Sequence, residues 1–264
     1  MRAVRAFLQI TFGTALAVLA GVGGTAIAQS GSPVRVIVPF PPGGSADLLA
    51  RVLTQQIGET TKQTMIVENR PGAGASIAYE LTARAMPDGN TVVIVANSVV
   101  INPLLRKVNF DPVKSFAPIC DLVASPLIFV VNNASVYKTI GELIVAAHAK
   151  PGVLTIAALG PATTQHIAFE NFKRVTKTDM IFVPFSGGAP AVNALLGQHV
   201  DAALVNYSEA VEQIKAGKLR ALATASASRL KQAPELPIVA ESGLCVPNIR
   251  FGMDAASRRG KFAT

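Results

Sequence analysis

Three glycine-rich segments offer backbone chemistry in this sequence: Pro42-Gly43-Gly44-Ser45, Gly72-Ala73-Gly74 and Ser186-Gly187-Gly188. Glycine lets a backbone approach a bound group with no Cβ in the way. The free N–H groups at the start of a helix attract anions. Each segment falls between a strand-like run and a helix-like run, so two of them facing each other suit a molecule with separated carboxylates. Glycines at such junctions also serve packing, and one loop alone decides nothing. The Gly72 segment lacks the third glycine of a dinucleotide fingerprint. Gly217-Lys218 is no phosphate loop, because Glu212 stands where the first glycine belongs and Leu219 follows the lysine.

Side-chain chemistry is sparse. There is no Gly-x-Ser-x-Gly elbow and there are three histidines. His148 falls late on an amphipathic helix and His199 in a turn. His166, at a helix start after Thr163-Thr164, suits either a hydrogen bond to a carboxylate or a cap on its own helix. A secreted α/β hydrolase using Ser45 or Ser98 with His166 is the alternative reading, but it needs an acid to orient the base. Asp47 lies within a turn of Ser45 and is as readily explained by the helix dipole. No spacing fits a metal site and no cofactor is expected. Cys120 and Cys245 read as two buried free thiols, although an oxidising compartment permits a disulfide.

The elements that must position these residues alternate. Strand-like runs fall at residues 34–40, 64–68, 91–96, 127–131, 154–158, 180–184, 200–205 and 219–224. Helical patterns fall at 46–58, 76–86, 140–150, 164–177 and 189–196, with a short helix ending at Gly217. Ser45 suits the first helix as N-cap, with Leu48, Leu49, Val52, Leu53 and Ile57 on one apolar face. Thr139-Ile140-Gly141-Glu142 matches a capping box. About eight strands alternating with helices predict an α/β fold with parallel sheets covered on both faces. Residues 102–125 are Pro-rich and read as an irregular link between lobes.

The N-terminus has a basic start at Arg2 and Arg5, an apolar run over 7–20 and the small-x-small site Ala26-Ile27-Ala28. This is the three-part pattern of a secretory signal peptide cleaved near Ala28, which places the mature chain in the periplasm. Without residues 1–28 the chain carries 22 basic against 16 acidic residues, a net +6. Those charges are scattered and form no nucleic-acid-binding motif. A composition of 50% hydrophobic and 15% charged residues is that of a globular protein.

Several motifs occur together in a fixed order. Val36-Ile37-Val38-Pro39-Phe40-Pro41-Pro42-Gly43-Gly44-Ser45-Ala46-Asp47 resembles the first signature of the Bug receptors of tripartite tricarboxylate transporters. Val67-Glu68-Asn69-Arg70-Pro71-Gly72-Ala73-Gly74 is similar to their second. Ala85-Met86-Pro87-Asp88-Gly89, Ile101-Asn102-Pro103, Phe110-Asp111-Pro112, the run Val183 to Ala191 and the run Ile214 to Leu222 continue the match. The resemblance covers residues 33–244.

It implies a two-lobed periplasmic binding protein fold of type II-like architecture, each lobe a mostly parallel sheet flanked by helices. Lobe 1 comprises residues 29–126 and 226–264 and lobe 2 residues 127–225, with a hinge of two crossing strands. It further implies a monomer that captures a small carboxylate (dicarboxylate, tricarboxylate, amino acid or aromatic acid) by lobe closure and serves membrane subunits of a transporter or a sensor. The ligand loops carried over are Pro42, Gly43, Gly44, Ser45 and Asp47; Asn97 and Ser98; Ala162, Thr163, Thr164 and His166; Phe185, Gly187, Gly188 and Ala189; and Asn206. Two departures, Ala158-Leu159-Gly160-Pro161-Ala162 in place of a more polar loop and Val205 in place of an acid, predict a less polar cleft. Residues 245–264 match nothing in the family pattern. They read as a truncated tail that leaves lobe 1 short of a helix and an edge strand, which makes a non-functional receptor a further alternative.

Overall fold

The computed structural model describes residues 32–242 and 250–258. The expected signal segment and Cys245 lie outside the described residues.

Nine strands are formed: β1 (Val34–Val38), β2 (Met65–Asn69), β3 (Thr91–Ala96), β4 (Phe116–Asn132), β5 (Thr155–Leu159), β6 (Ile181–Phe185), β7 (Ala202–Asn206), β8 (Leu219–Thr224) and β9 (Arg250–Arg258). Seven α-helices accompany them among the described residues: α1 (Ser45–Thr61), α2 (Ser76–Arg84), α3 (Ser98–Leu105), α4 (Ile140–Ala149), α5 (Thr164–Thr176), α6 (Gly188–Leu196) and α7 (Tyr207–Lys215). Each helix follows the strand of the same number. Every helix N-terminus therefore lies at the carboxyl end of a strand, where ligands bind in open α/β sheets.

The strand order is β2-β1-β3-β9-β4-β7-β5-β6, with β8 also paired to β4. Two parallel groups, β2-β1-β3 and β7-β5-β6, make up the two halves. β4 belongs to both. Phe116 to Pro126 pair antiparallel with β9, and Leu127 onward pair antiparallel with β7 on one side and β8 on the other. The sheet is thus mixed, not simply parallel. The buried runs in β1 and β7 are continuous rather than alternating, because helices cover both faces. In β4 the alternation survives: Leu127, Phe129 and Val131 join one core cluster, Ile128 and Val130 the other.

Four expectations are corrected. Residues 102–125 are irregular only over 106–115. The rest finish α3, with Pro103 inside the helix, and supply ten of the seventeen residues of β4. Prolines hid that strand: Pro118 cannot donate to a ladder, and the register slips between Pro118 and Cys120 and again between Asp121 and Val123. Residues 250–258, read as unmatched tail, form β9 and fill the gap between β3 and β4. In α1 the side buried against the sheet is the small one, Ala46, Asp47 and Ala50, while Leu48 and Val52 are 59% and 51% exposed. Small residues let the helix lie close to the sheet, which turns Leu48, Val52 and Ile57 outward while Leu49 still packs against the core. Cys120 is exposed, not buried.

The α4 N-terminus forms as read: Thr139 Oγ1 accepts from the Glu142 N–H at 3.1 Å. Glu142 returns the contact to the N–H of Lys138 rather than to that of Thr139. Only one of the two crossing strands expected at the hinge, β4, is a continuous strand through both halves.

Candidate functional site

The loops after β1, β2 and β3 meet the loops after β5, β6 and β7. A β-carbon on Gly187 would lie 2.8 Å from Pro41 Cδ, and one on Gly74 would lie 2.9 Å from the Pro161 carbonyl oxygen. A β-carbon on Gly43 would stand 3.8 Å from Ala189 Cβ. Asn97 Nδ2 donates to Thr164 Oγ1 at 3.1 Å, and Asn206 Nδ2 donates to Ser45 Oγ at 3.1 Å. All three glycine segments named in the sequence therefore sit where the halves touch, and at Gly74 and Gly187 only the absence of a side chain permits the approach.

Two of the spaces lined from both halves lie at these glycine segments. One, of about 160 Å³, is lined by Phe40, Leu159 and Phe185, the segment Gly72 to Ala75, Thr163 and Ser186. No charged side chain lines it. It is smaller than most drug-sized sites and suits a small molecule. The other is bounded by Gly44, Ser45, Gly187, Gly188, Ala189, Asn206 and Glu209, and only about 10 Å³ of it is free. Phe40 and Leu159 line both, so the two spaces are adjacent.

Glu209 fills the second space. Its Oε1 accepts from the Ser45 hydroxyl at 3.1 Å and from the Ser45 N–H at 3.4 Å, and its Oε2 accepts from the Asn206 N–H at 2.9 Å. Its carboxylate atoms stand 2.0–2.2 Å from where a β-carbon on Gly188 would be. Burial pushes the Glu209 carboxyl above its usual range, and the hydrogen bonds from Asn206 and Ser45 offset this only in part. Sequence reading missed this residue. The signal was present, since Asn206 and Glu209 have the N-cap-to-N3 spacing of a capping box.

The other predicted residues are spread more widely. Pro42 and Gly43 are exposed. Asp47 turns away from both spaces and braces the loop: it accepts from the Gly43 N–H at 3.0 Å, Arg51 Nε at 3.0 Å and Asn69 Nδ2 at 2.9 Å. Burial raises its pKa, but these bonds and the Arg51 charge outweigh that and hold it below the usual carboxylate range. Such a group contributes stability above its unfolded pKa and loses it as pH falls through the folded value. Asp47→Asn is therefore expected to cost about 2 kcal/mol near neutral pH, with the deficit shrinking on acidification. Urea midpoints measured from pH 7 downward check this.

Ser45 is the first residue of α1 rather than its cap, which is Gly44. Ser98 Oγ is committed to the Tyr79 hydroxyl at 2.9 Å. Ala162 is buried at φ +68°. Thr163, not His166, caps α5 by accepting from the His166 N–H at 3.3 Å. The His166 ring lies 4.6 Å from that of Phe182 and 3.9 Å from Glu170. Neither Ser45 nor Ser98 is bonded to it, so the serine–histidine reading has no geometry behind it. Val205 is in the core and does not line the cleft, whereas Leu159 does. Sequence reading also passed over Asn102, whose Nδ2 donates to the Gly74 carbonyl at 2.7 Å and fixes that loop. Gln165 was missed too, a buried side chain whose amide atoms bond no other protein group. Among the described residues no cluster of His, Cys, Asp and Glu has the makings of a metal site, and no helix is long and apolar enough to cross a membrane.

Residues 49–258 match the family described as tripartite tricarboxylate transporter family receptor. The chain belongs to that family. It is 33% identical over 214 residues to protein BugT of Bordetella pertussis, covering 80% of this chain and 66% of BugT. Among solved structures it resembles the periplasmic binding protein BugD (TM-score 0.82, 30% identity, 86% of this chain and 77% of that one). It also resembles MatC from Rhodopseudomonas palustris with bound malate (TM-score 0.79, 28% identity, 86% and 78%). The chain spans 63–68% of the length of the first three curated relatives it matches. Tripartite tricarboxylate transporter receptors bind solutes and are not enzymes, and the matched region runs through β9. Its start, inside α1, leaves the first glycine segment outside the matched residues.

Proposed function

We propose that this chain is an exported periplasmic receptor that captures a small carboxylate between two lobes and presents it to the membrane subunits of a tripartite transporter. The lobes are the sheet built on β2-β1-β3 with residues 226–258 and the sheet built on β7-β5-β6 within residues 127–225. The segment 1–28 acts as the export signal, removed near Ala28.

One observation carries this reading: four loops from both halves close on a 160 Å³ space lined by glycines, apolar residues, Thr163 and Ser186, with no charged or catalytic side chain. Glycine loops opening helices hold anions through N–H groups. A solved relative with malate in place has the same fold at a TM-score of 0.79.

The test is thermal unfolding of residues 29–264 against a panel of small monocarboxylates, dicarboxylates and tricarboxylates. Ligand at a hundredfold excess over Kd stabilises the folded state by about 2.7 kcal/mol. A melting temperature raised by one class of acid is expected, and a cooperative transition that no acid moves refutes the proposal.

A further inference from the structure

We propose that Glu209 is a specificity-determining residue: its carboxylate occupies one of the two anion positions between the halves, so the receptor takes ligands with a single carboxylate. This rests on the reading of the chain as a carboxylate receptor.

The Glu209 carboxylate lies where three helices begin. Ser45 opens α1, Asn206 precedes α7, and Gly188 opens α6 with its α-carbon packed directly against the carboxylate. The positive ends of helices and their unpaired N–H groups favour an anion at such a point. Here the anion is part of the chain. It accepts bonds from the first half through Ser45 N–H and O–H, and from the second half through the Asn206 N–H. The Ser45 and Asn206 donors that a ligand carboxylate would draw on at this end are spent.

Space and charge both exclude a second anion there. The roughly 10 Å³ left around Glu209 is at the lower limit for one water. Two carboxylates sharing a site cannot both ionise freely. Burial already disfavours the charge on Glu209, so a neighbouring anion would add to an existing cost.

The adjacent space is complementary to this. At one side it offers the segment Gly72 to Ala75, which leads into the N-terminus of α2. Toward Glu209 it offers the side chains of Phe40 and Leu159, which separate the two spaces. A ligand seated there has one anchored carboxylate and an apolar end. A second carboxylate would be pressed against two hydrocarbon side chains with no donor free.

Isothermal titration calorimetry of the purified protein and of Glu209→Ala and Glu209→Gln, with butyrate, valerate, succinate and glutarate, tests this. For the unaltered protein, at least tenfold tighter binding of each monocarboxylate than of the dicarboxylate of equal chain length is expected. In Glu209→Ala, which frees both the donors and the space, the preference should narrow by at least tenfold. Glu209→Gln keeps the volume, removes the charge and should narrow it less. Melting curves establish that each variant is folded, and the preference of the unaltered protein stands as a test even if Glu209→Ala does not fold. Binding of dicarboxylates as tightly as monocarboxylates by the unaltered protein overturns this inference and leaves the receptor reading intact. A tenfold preference that persists unchanged in both folded variants also overturns it. Binding of none of the four acids by any of the proteins overturns this inference, and the melting-temperature panel then decides the receptor reading by itself.

Discussion

Tyr79→Ala is expected to bring the protein to the edge of unfolding. The ring is wholly buried in α2 and packs edge-on against Phe110 at 5.7 Å and Phe116 at 6.3 Å between centroids. Removing a buried aromatic ring costs about 3–5 kcal/mol through lost burial and the cavity left behind. The hydroxyl adds to this, because it accepts from the Ala96 N–H at 3.1 Å and pairs with Ser98 Oγ at 2.9 Å. Each buried group left unpaired costs about 1–3 kcal/mol. Together these approach the whole stability of an ordinary domain, about 5–15 kcal/mol. Tyr79→Phe separates the terms and should lose only the hydroxyl part. Burial holds the Tyr79 phenol at about 12, so it stays protonated and the bond to Ala96 is independent of pH over the ordinary range. Urea unfolding followed by circular dichroism measures both variants. A loss below about 1 kcal/mol for Tyr79→Phe would show that these hydrogen bonds are not needed.

Gly74→Ala is expected to weaken ligand binding by tenfold or more with a smaller loss of stability. Gly74 sits at φ +61°, ψ +37°, where a side chain costs about 1–2 kcal/mol. Its new β-carbon would lie 2.9 Å from the Pro161 carbonyl oxygen, a backbone atom of the opposite half that has no rotamer to escape into. Asn102 Oδ1 at 3.2 Å closes the other side. The variant relieves the clash most readily by holding the halves apart, and that removes the contacts a ligand needs from both. Gly89→Ala is the control. Gly89 has a similar strain at φ +82° but open space around it, so it should lower stability and spare binding. Calorimetry with the acid that most raises the melting temperature of the unaltered protein compares the two. Equal affinity in Gly74→Ala and Gly89→Ala would show that the Gly74–Pro161 approach is not required for capture.

The parallel strands and the helices between them were readable because both carry strong periods: apolar runs at β1 (broken by Arg35), β3 and β7, and amphipathic stretches at α4 and α5. What failed was the stretch where period and pairing part company. β4 has prolines at 118 and 126, exposed residues over Ile119 to Asp121 and two register slips, so no alternation survives in its first eleven residues. β9 is paired on both sides by strands far away in sequence, and its pattern has meaning only once those neighbours are known. α1 failed for another reason: its leucine stripe and its alanine side are both plausible inner faces, and only the close approach to the sheet selects Ala46 and Ala50.

The candidate site divides in the same way. The glycine segments were legible because a missing Cβ can be read from the letter alone. The placement of Gly187 against Pro41 and of Gly74 against Pro161 shows close approach at those two positions. Asp47 and Ser98 were chosen for their chemistry, but they spend it inside the protein, on Arg51, Asn69 and Tyr79. Glu209 was passed over because a glutamate at the third position of a helix has an ordinary local explanation. Its contact with Ser45, 164 residues away, cannot be seen from one helix.

The insertion of β9 bears on how the molecule is made. The second half is contiguous: its parallel strands, β8 and the Leu127 end of β4 are all present once the chain has reached Thr224. The first half is different. β3 and β4 are not joined to each other; β9 lies between them, pairing Val92 with Ser257 and Ala117 with that same residue. Closing so long a loop is paid in chain entropy before any contact returns it. A chain emerging from its N-terminus therefore finishes its later-made half first. Its earliest strands wait, with an open sheet edge, for the last one to arrive.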